Sequence, residues 1–497
     1  MFKVYTPRQA TWPEVLEHCL GGFCHYGFLF LLIWPPFAFG AVHPWAFAAL
    51  EIHIALLVMA WMLRAVAGRQ PLLSTSWPKT RLLPWCTRLS LLFFIATLAL
   101  QLLPISPNLL YDLSRPTYDL YHSFHPNWPH VPVTLSLHPY ATHLGLMKAL
   151  AYLGLFAFAI DHLRTEHLIR QAIGVITLTA AAAALIGICQ HFAGLSAIYG
   201  WRDASYAHFF GPFLNRNHFA AYQTMAILTG LALWLALSNR NRQPCSRDTP
   251  AAANLAAPFA EPQFISLALL LFALALMTGA LALTLSRGGV LSFFAGLSLF
   301  TLLHRQSRKR RGRHAHWRLV WIFVGLGLMS LWLGLGPLIE RFWQSFSGHT
   351  EPGWGDRRAV YAATWAMVKD FPVFGIGLGA FPVIFPRYQP DAVTLRYLQA
   401  HSDILQLLAE MGTVGLLTCL GAGSGLVVGM VNAWRQSQSE LALSVVPAGF
   451  AAMAAITLHS CVDFSLRIPA NAVLLTVILA ITQRCANLPP QDIRYGD

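Results

Sequence analysis

The sequence has few charged residues and lacks the features of a soluble domain. Only 11% of its 497 residues are charged, whereas 56% are hydrophobic; soluble domains usually carry about a quarter charged residues. Its eight cysteines include no Cys-x-x-Cys pair, so they predict neither a disulfide framework nor a zinc site. The formal net charge of +13 is not gathered in a soluble basic domain, which disfavours nucleic-acid binding. These shortages predict a protein whose solvent is largely a lipid bilayer.

Apolar runs of about 20 residues, the length of a transmembrane helix, recur along the chain. They predict an all-α polytopic membrane protein with about twelve transmembrane helices. The predicted spans are 24–42, 46–64, 88–104, 143–160, 168–190, 218–237, 264–285, 288–303, 318–336, 412–432, 443–460 and 468–483. The chain then divides into nine spans within 1–336, a long loop at 337–411, and three spans with a tail in 412–497.

The loops on the two sides of these spans differ in basic residues. One side, which includes both termini, carries 21 Lys and Arg, and the other carries 11. The positive-inside rule predicts that the first side, with both termini, is cytoplasmic. Four segments then share the outer, periplasmic side: 105–142, 191–217, the turn at 286–288, and 337–411. The last is about 75 residues long, far above the usual loop length, so we expect it to be functional. It is predicted to carry short helices at 359–370 and 402–411.

Four arginines on that outer side are candidates for binding phosphate: Arg216, Arg287, Arg357 and Arg358. A guanidinium group matches phosphate oxygens through two parallel hydrogen bonds. Glycines directly after Arg287 would let a ligand approach the backbone closely. The alternative for each arginine is an ion pair with a loop carboxylate or a lipid headgroup.

His401 is the candidate base. It lies at or near the start of a predicted helix, where the helix dipole lowers the pKa of an imidazole and favours its neutral form. A neutral histidine can take a proton from a sugar hydroxyl at neutral pH. The alternative is a capping or interfacial histidine. Asp403 and Glu410 are candidates for orienting this region, or for a solvated acidic face.

No metal site and no cofactor are expected. The histidines of the 105–142 loop, His122, His125, His130 and His138, lie among prolines. They lack the i, i+4 spacing of a helical metal site.

Several short motifs together resemble a known family, the bacterial O-antigen ligase, O-antigen polymerase and protein O-oligosaccharyltransferase superfamily. The motifs are Phe213-Leu-Asn-Arg-Asn-His218, Leu285-Ser-Arg-Gly-Gly289, Asp356-Arg-Arg-Ala-Val-Tyr361, His401-Ser-Asp-Ile-Leu-Gln406 and His459-Ser-Cys-Val-Asp463. The resemblance lies in their order and in their placement around a long outer loop. It spans roughly residues 211–470, whereas residues 1–200 match only as a run of spans.

The resemblance implies a fold like that of the membrane-embedded type-C glycosyltransferases, in the bacterial inner membrane, with the active site facing the periplasm. It implies metal-independent, inverting transfer of a glycan from undecaprenyl diphosphate to an acceptor hydroxyl. Arg216 and Arg287 would bind the diphosphate, Arg357 or Arg358 would assist, and His401 would activate the acceptor. Residues that would support them are Asn215, Asn217, His218 and Asp403.

The acceptor that the resemblance favours is lipid A-core, which would make the protein an O-antigen ligase of lipopolysaccharide biosynthesis. Two alternatives stay open within the class: a polymerase, whose acceptor is another lipid-linked repeat, and a transferase to Ser or Thr of an exported protein. A transporter of the lipid-linked glycan is an alternative from another class. A transporter should show paired broken helices and midplane charges; here the charges gather at one face, which favours an enzyme. The expected partners are this donor, this acceptor and membrane lipids, with no nucleic acid.

Overall fold

The computed structural model describes residues 12–68, 83–203, 208–240, 262–309, 354–390, 396–437 and 439–488. Within these ranges the chain is almost entirely helical. Its α-helices are Trp12–Phe37, Pro44–Ala67, Trp85–Leu102, Pro107–Leu113, Arg115–Phe124, Pro139–His162, Glu166–Phe192, Arg216–Arg240, Pro262–Leu283, Arg287–Lys309, Trp354–Asp370, Phe381–Ile384, Asp403–Gln436, Glu440–Ser460 and Pro469–Ala486. One antiparallel hairpin pairs Ala197–Ile198 with Arg202–Asp203.

Eleven of these helices are long and apolar enough to cross a membrane, counting only the described part of the chain. They correspond to eleven of the twelve predicted spans, which confirms an all-α polytopic membrane protein. The remaining predicted span, 318–336, lies outside the described residues. Helices suit such a chain because each satisfies its backbone hydrogen bonds internally, as hydrocarbon requires.

Three helices form the centre of the bundle. The spans Arg216–Ser238, Glu440–Ser460 and Pro469–Ala486 are mostly buried by other helices, whereas the rim spans expose much of their surface. Small residues allow this close packing. A Cβ added at Gly296 would lie 3.0 Å from the side chain of Ala455, so the helix Arg287–Lys309 approaches Glu440–Ser460 backbone to backbone.

Two of the segments predicted for the outer side, 105–142 and 337–411, are hydrogen-bonded to each other and to the end of the helix Trp85–Leu102. The amide of Leu137 donates to the carbonyl of Ile376 at 2.9 Å, and Gln101 Nε2 donates to the carbonyls of Phe374 and Glu410 at 2.7 and 2.9 Å. We call the surface that these segments form together with the helix starts at Arg216 and Arg287 the site face.

The long loop carries its own small hydrophobic core on the site face. Its largest buried side chains include Met367, Phe381 and Phe385. The predicted helix at 359–370 is confirmed and begins earlier, at Trp354.

The predicted helix at 402–411 is also confirmed. It continues into the next span as one element, Asp403–Gln436, interrupted at Gly412, where φ is 63° and ψ is −167°. Only glycine fits this position, because a Cβ would overlap the carbonyl of Val373.

Candidate active site on the site face

Two helix starts on the site face carry the first two candidate arginines. Arg216 is the first residue of its helix, and its amide donates to the carbonyl of His208 at 2.7 Å. The side chain of Asn215 accepts from the amide of Asn217 at 2.8 Å, which satisfies one free donor of the helix start. Arg287 likewise begins the helix Arg287–Lys309. Both arginine side chains are half-buried.

The two helix starts are joined directly by side chains. Ser286 Oγ donates to Asn217 Oδ1 at 2.7 Å and accepts from the amide of Gly289 at 3.2 Å, so it also caps its own helix. Asn217 directly follows Arg216 in the sequence, and Ser286 directly precedes Arg287. The hydrogen bond between Ser286 and Asn217 therefore joins the two helix starts that carry these arginines. Two helix N-termini with adjacent arginines make this place electropositive.

Asp463 lies at the centre of this arrangement. It is 1% exposed and belongs to the turn that joins the last two spans. Its Oδ2 accepts from Asn217 Nδ2 at 2.6 Å, and its Oδ1 accepts from the amide of Phe464 at 2.7 Å. His218 Nε2 lies 3.3 Å from Asp463 Oδ1. The carboxylate thus holds the Arg216 helix start against the last loop of the bundle.

Asp463 stays ionised in this buried position. Burial alone would raise its pKa, but the close contact of His218 and the charges of His218, His459 and Arg357 lower the pKa well below its usual range. A carboxylate that is bonded to several donors is expected to behave in this way.

The turn bearing Arg287 also packs directly on the loop of Asp463. A Cβ added at Gly288 would lie 3.1 Å from a methyl group of Val462 and 3.3 Å from the ring of His459. His459 is 1% exposed, and its Nδ1 makes no hydrogen bond with the described residues. A third histidine therefore borders the site beside His218 and His401.

His401 approaches Asp463 from the long loop. Its ring packs edge-on against Phe464, with centroids 5.1 Å apart, and against Tyr397 at 5.6 Å. Phe464 also contacts the ring of His218, at 4.7 Å, so one phenyl ring separates the two histidines. Nδ1 of His401 is buried and makes no hydrogen bond with the described part of the chain.

The pKa of His401 is lowered to about 4, first by burial and then by the charge of Arg357, with Asp463 opposing the shift and His218 adding to it. The imidazole is therefore neutral at neutral pH, as the sequence predicts. Burial and the charge of Arg357 are causes that the sequence did not predict. Ser402, not His401, caps the following helix by accepting from the amide of Leu405 at 3.3 Å.

Arg357 and Arg358 separate in the structure. Arg357 is half-buried and acts electrostatically on His401, Asp463 and Tyr361. Arg358 is exposed. Of the two, Arg357 is the one placed to act at the site.

Asp403, a candidate for orienting this region, is buried and bonded to the loop between the last two spans. Its Oδ2 accepts from Ser460 Oγ and from the amide of Leu466, each at 2.9 Å. Its amide donates to the carbonyl of Asp463 at 3.1 Å. Asp403 thus anchors the start of its helix to the loop between the last two spans.

Two histidines of the 105–142 loop have local structural roles. His138 caps a helix by accepting from the amide of Ala141 at 3.1 Å, and His125 Nδ1 accepts from the amide of Asn127 at 3.3 Å. No group of three potential metal ligands occurs among the residues that the structure describes.

Four residues of this site were not singled out from the sequence for a role: Asp463, His459, Tyr361 and Arg467, whose Nε lies 3.9 Å from Asp403 Oδ1. The first three fall inside the motifs that carry the family resemblance. A stronger signal was available for Asp463, because a carboxylate between two apolar spans usually has a partner and a function.

Comparison with known proteins gives one family. Residues 272–420 match a family model described as O-antigen ligase. The match contains Arg287, Arg357 and His401, whereas Arg216 and Asp463 lie on either side of it. A search of the curated proteins finds no match.

Proposed function

The chain belongs to the O-antigen ligase-like superfamily of glycosyltransferase-like membrane enzymes, and from that premise we propose that it transfers a glycan from undecaprenyl diphosphate to an acceptor hydroxyl. We place the reaction at the periplasmic face of the bacterial inner membrane and take lipid A-core as the acceptor, as for an O-antigen ligase. One observation carries the proposal: the helix starts of Arg216 and Arg287 and the neutral His401 meet around one buried carboxylate, Asp463.

In this proposal the donor diphosphate binds where the two helix starts meet. Arg216 and Arg287 approach from neighbouring helices, and Arg357 approaches from the long loop. Helix N-termini and guanidinium groups both favour anions. The link from Ser286 to Asn217 keeps the two helix starts in register, and Asn217 and His218 bind Asp463.

His401 would act as the general base. The acceptor oxygen attacks the anomeric carbon while the bond from that carbon to the diphosphate oxygen breaks. The hydroxyl proton passes to His401, and the released electron pair stays on undecaprenyl diphosphate, where the arginines stabilise the charge. Electrostatic stabilisation of this kind is commonly the largest catalytic effect. A single displacement inverts the anomeric centre.

Donor binding would also activate this base. An imidazole with a pKa near 4 accepts a proton weakly, and a base works best with a pKa near the working pH. The charge of Arg357 is one cause of the lowered pKa, whereas Asp463 raises it. A diphosphate bound at Arg357 would cancel the first effect and leave the second, so the pKa of His401 would rise when the donor arrives.

An acceptor panel tests the proposed activity. The purified full-length protein would receive an undecaprenyl diphosphate-linked glycan together with lipid A-core, a second lipid-linked repeat, or a Ser/Thr-containing exported protein. We expect the glycan on lipid A-core. A product on the lipid-linked repeat alone, or on the protein alone, would contradict the ligase assignment and favour a polymerase or a protein transferase.

A further inference from the structure

The backbone of His401 is in an unusual conformation that its surroundings must maintain. Its φ is 55°, in the left-handed region, which a residue other than glycine keeps only where neighbouring contacts hold it. On one side, the hydroxyl of Tyr361 donates to the carbonyl of His401 at 2.9 Å. On the other side, the amide of Ala400 donates to Gln406 Oε1, also at 2.9 Å. The chain is thus held before and after the imidazole.

Gln406 is itself fixed by two further residues. It is fully buried, and its Nε2 donates to Glu410 Oε1 at 3.0 Å, which sets the end of the amide that faces Ala400. Glu410 Oε2 accepts from Arg467 Nη2 at 2.8 Å. A continuous line of hydrogen bonds therefore runs from Arg467 through Glu410 and Gln406 to the residue before His401.

The charges along this line explain why an arginine is needed. Glu410 is 0% exposed, and a buried carboxylate requires a hydrogen-bonded positive partner. Arg467 provides that partner, and its Nε also lies 3.9 Å from Asp403 Oδ1. Since Arg467 belongs to the short 3-10 helix Ser465–Arg467, the line joins the loop between the last two spans to the backbone beside His401.

We propose that Arg467 is a positioning residue that holds His401 in its reactive conformation through Glu410 and Gln406. The effect on turnover rests on the proposed function, whereas the hydrogen-bonded line does not. The competing role for Arg467 is direct phosphate binding, since its side chain is 24% exposed. The two roles predict opposite results when Glu410 is neutralised.

A double-mutant cycle on the full-length protein separates these roles. Arg467→Ala should lower kcat about 10- to 100-fold, because small misplacements of a reacting group cost up to about 100-fold, with affinity for undecaprenyl diphosphate changed by less than about threefold. Glu410→Gln should lower kcat less than Arg467→Ala does, since its amide oxygen can still accept from Gln406 and no unpaired buried carboxylate is left. The double variant should regain about tenfold in kcat over Arg467→Ala, because no unpaired buried charge remains.

Two results would overturn the proposal. One is a double variant with no more activity than Arg467→Ala. The other is a loss of undecaprenyl diphosphate affinity in Arg467→Ala that accounts for its loss of turnover. If Arg467→Ala does not fold, Arg467→Lys keeps the charge but not the planar fork. We expect Arg467→Lys to lower kcat and keep the affinity; unchanged kcat with weaker affinity would contradict the proposal.

Gln406→Ala breaks the line of hydrogen bonds between Arg467 and His401 without leaving a buried charge unpaired, because Glu410 keeps its contact with Arg467. Gln223→Ala is the matched control, because Gln223 is equally buried and donates to the carbonyl of Ala180 at 2.9 Å, in contact with another helix. Both variants should lose similar thermal stability. Only Gln406→Ala should lower kcat and change the rate at which diethyl pyrocarbonate modifies His401.

These readouts distinguish failure of this inference from failure of the proposed function. A wild-type protein that forms no glycan product would refute the function, and the modification rate of His401 would still show whether Gln406 positions it. A wild-type protein that transfers glycan, with kcat and the modification rate of His401 both unchanged in Gln406→Ala, would refute the positioning role alone.

Discussion

At the residue scale, His401 is neutral because it is buried beside a positive charge. Its pKa is lowered to about 4 by burial and by Arg357. In the unfolded chain the pKa of this histidine is near 6.5. Between the folded and the unfolded pKa, the unfolded chain therefore binds more protons at this residue than the folded chain does. The contribution of His401 to stability is therefore fully present above about pH 6.5 and is lost as the pH falls towards 4.

The same pKa gives a prediction for the pH dependence of turnover. The acid limb of kcat/KM reports the free enzyme, and that of kcat reports the enzyme with bound substrate. Because bound diphosphate would cancel the charge of Arg357, we expect the acid limb of kcat to lie at higher pH than that of kcat/KM. In Arg357→Gln the difference in pH between the two acid limbs should become small, because there is no Arg357 charge for the diphosphate to cancel. A kcat limb at or below the kcat/KM limb in the wild type would contradict donor-linked activation.

At the element scale, the turn before Arg287–Lys309 determines where Arg287 lies. We predict that Arg287→Ala lowers turnover about 30- to 1000-fold, because a charge-assisted contact in a dry site is worth on the order of 2–4 kcal/mol. Arg287→Lys should recover only part of this, since lysine lacks the bidentate fork. The measurement is turnover together with undecaprenyl diphosphate affinity. Wild-type values for Arg287→Ala at normal expression would refute the diphosphate assignment.

The interruption at Gly412 gives a stability prediction. Gly412→Ala places a Cβ against the carbonyl of Val373 in a backbone region that is nearly restricted to glycine. We expect a clear drop in thermal stability. The control is Gly423→Ala in the same helix, where no atom lies within 4 Å of the added Cβ. That variant should be neutral or stabilised by up to about 1 kcal/mol. Equal melting temperatures for the two variants would contradict this account of the interruption.

The sequence predicts elements better than it predicts the contacts between them. Apolar length alone predicts eleven spans that the structure contains, because each helix satisfies its own backbone. The interruption at Gly412 was not predicted, since it depends on a carbonyl about 40 residues earlier, that of Val373. At the site, by contrast, His401 and the arginines stand out in the sequence itself, because they lie on the side with fewer basic residues. Asp463 acquires its role only when Asn217, 246 residues away, is brought beside it.

At the scale of the whole molecule, the orientation of the site face can be tested by labelling. In a background without the native cysteines, Ser123→Cys lies on the exposed surface of the loop at 105–142, and Gln436→Cys lies at the far end of the helix Asp403–Gln436. We predict that a membrane-impermeant reagent labels the first without permeabilising the inner membrane and the second only afterwards. The reverse pattern would contradict a periplasmic active site.

The proposed chemistry also distinguishes a transferase from a transporter. A detergent micelle has no second compartment, so a transporter can make no product there, whereas a transferase needs only its two substrates. The candidate site uses arginines and a histidine, so we expect transfer to continue in EDTA. Loss of turnover in EDTA that one divalent ion restores would instead indicate a metal-dependent step.

The most direct test of the central claim is turnover of wild type and His401→Ala in micelles, measured beside their affinity for undecaprenyl diphosphate. We predict glycan transfer by the wild type. We also predict a loss of about 100- to 10,000-fold in His401→Ala, the usual effect of removing a general base, with nearly unchanged affinity because the arginines hold the carrier. Absence of product from the wild type, or normal turnover by His401→Ala, would contradict the account; a parallel loss of affinity would make His401 a diphosphate ligand instead of the base.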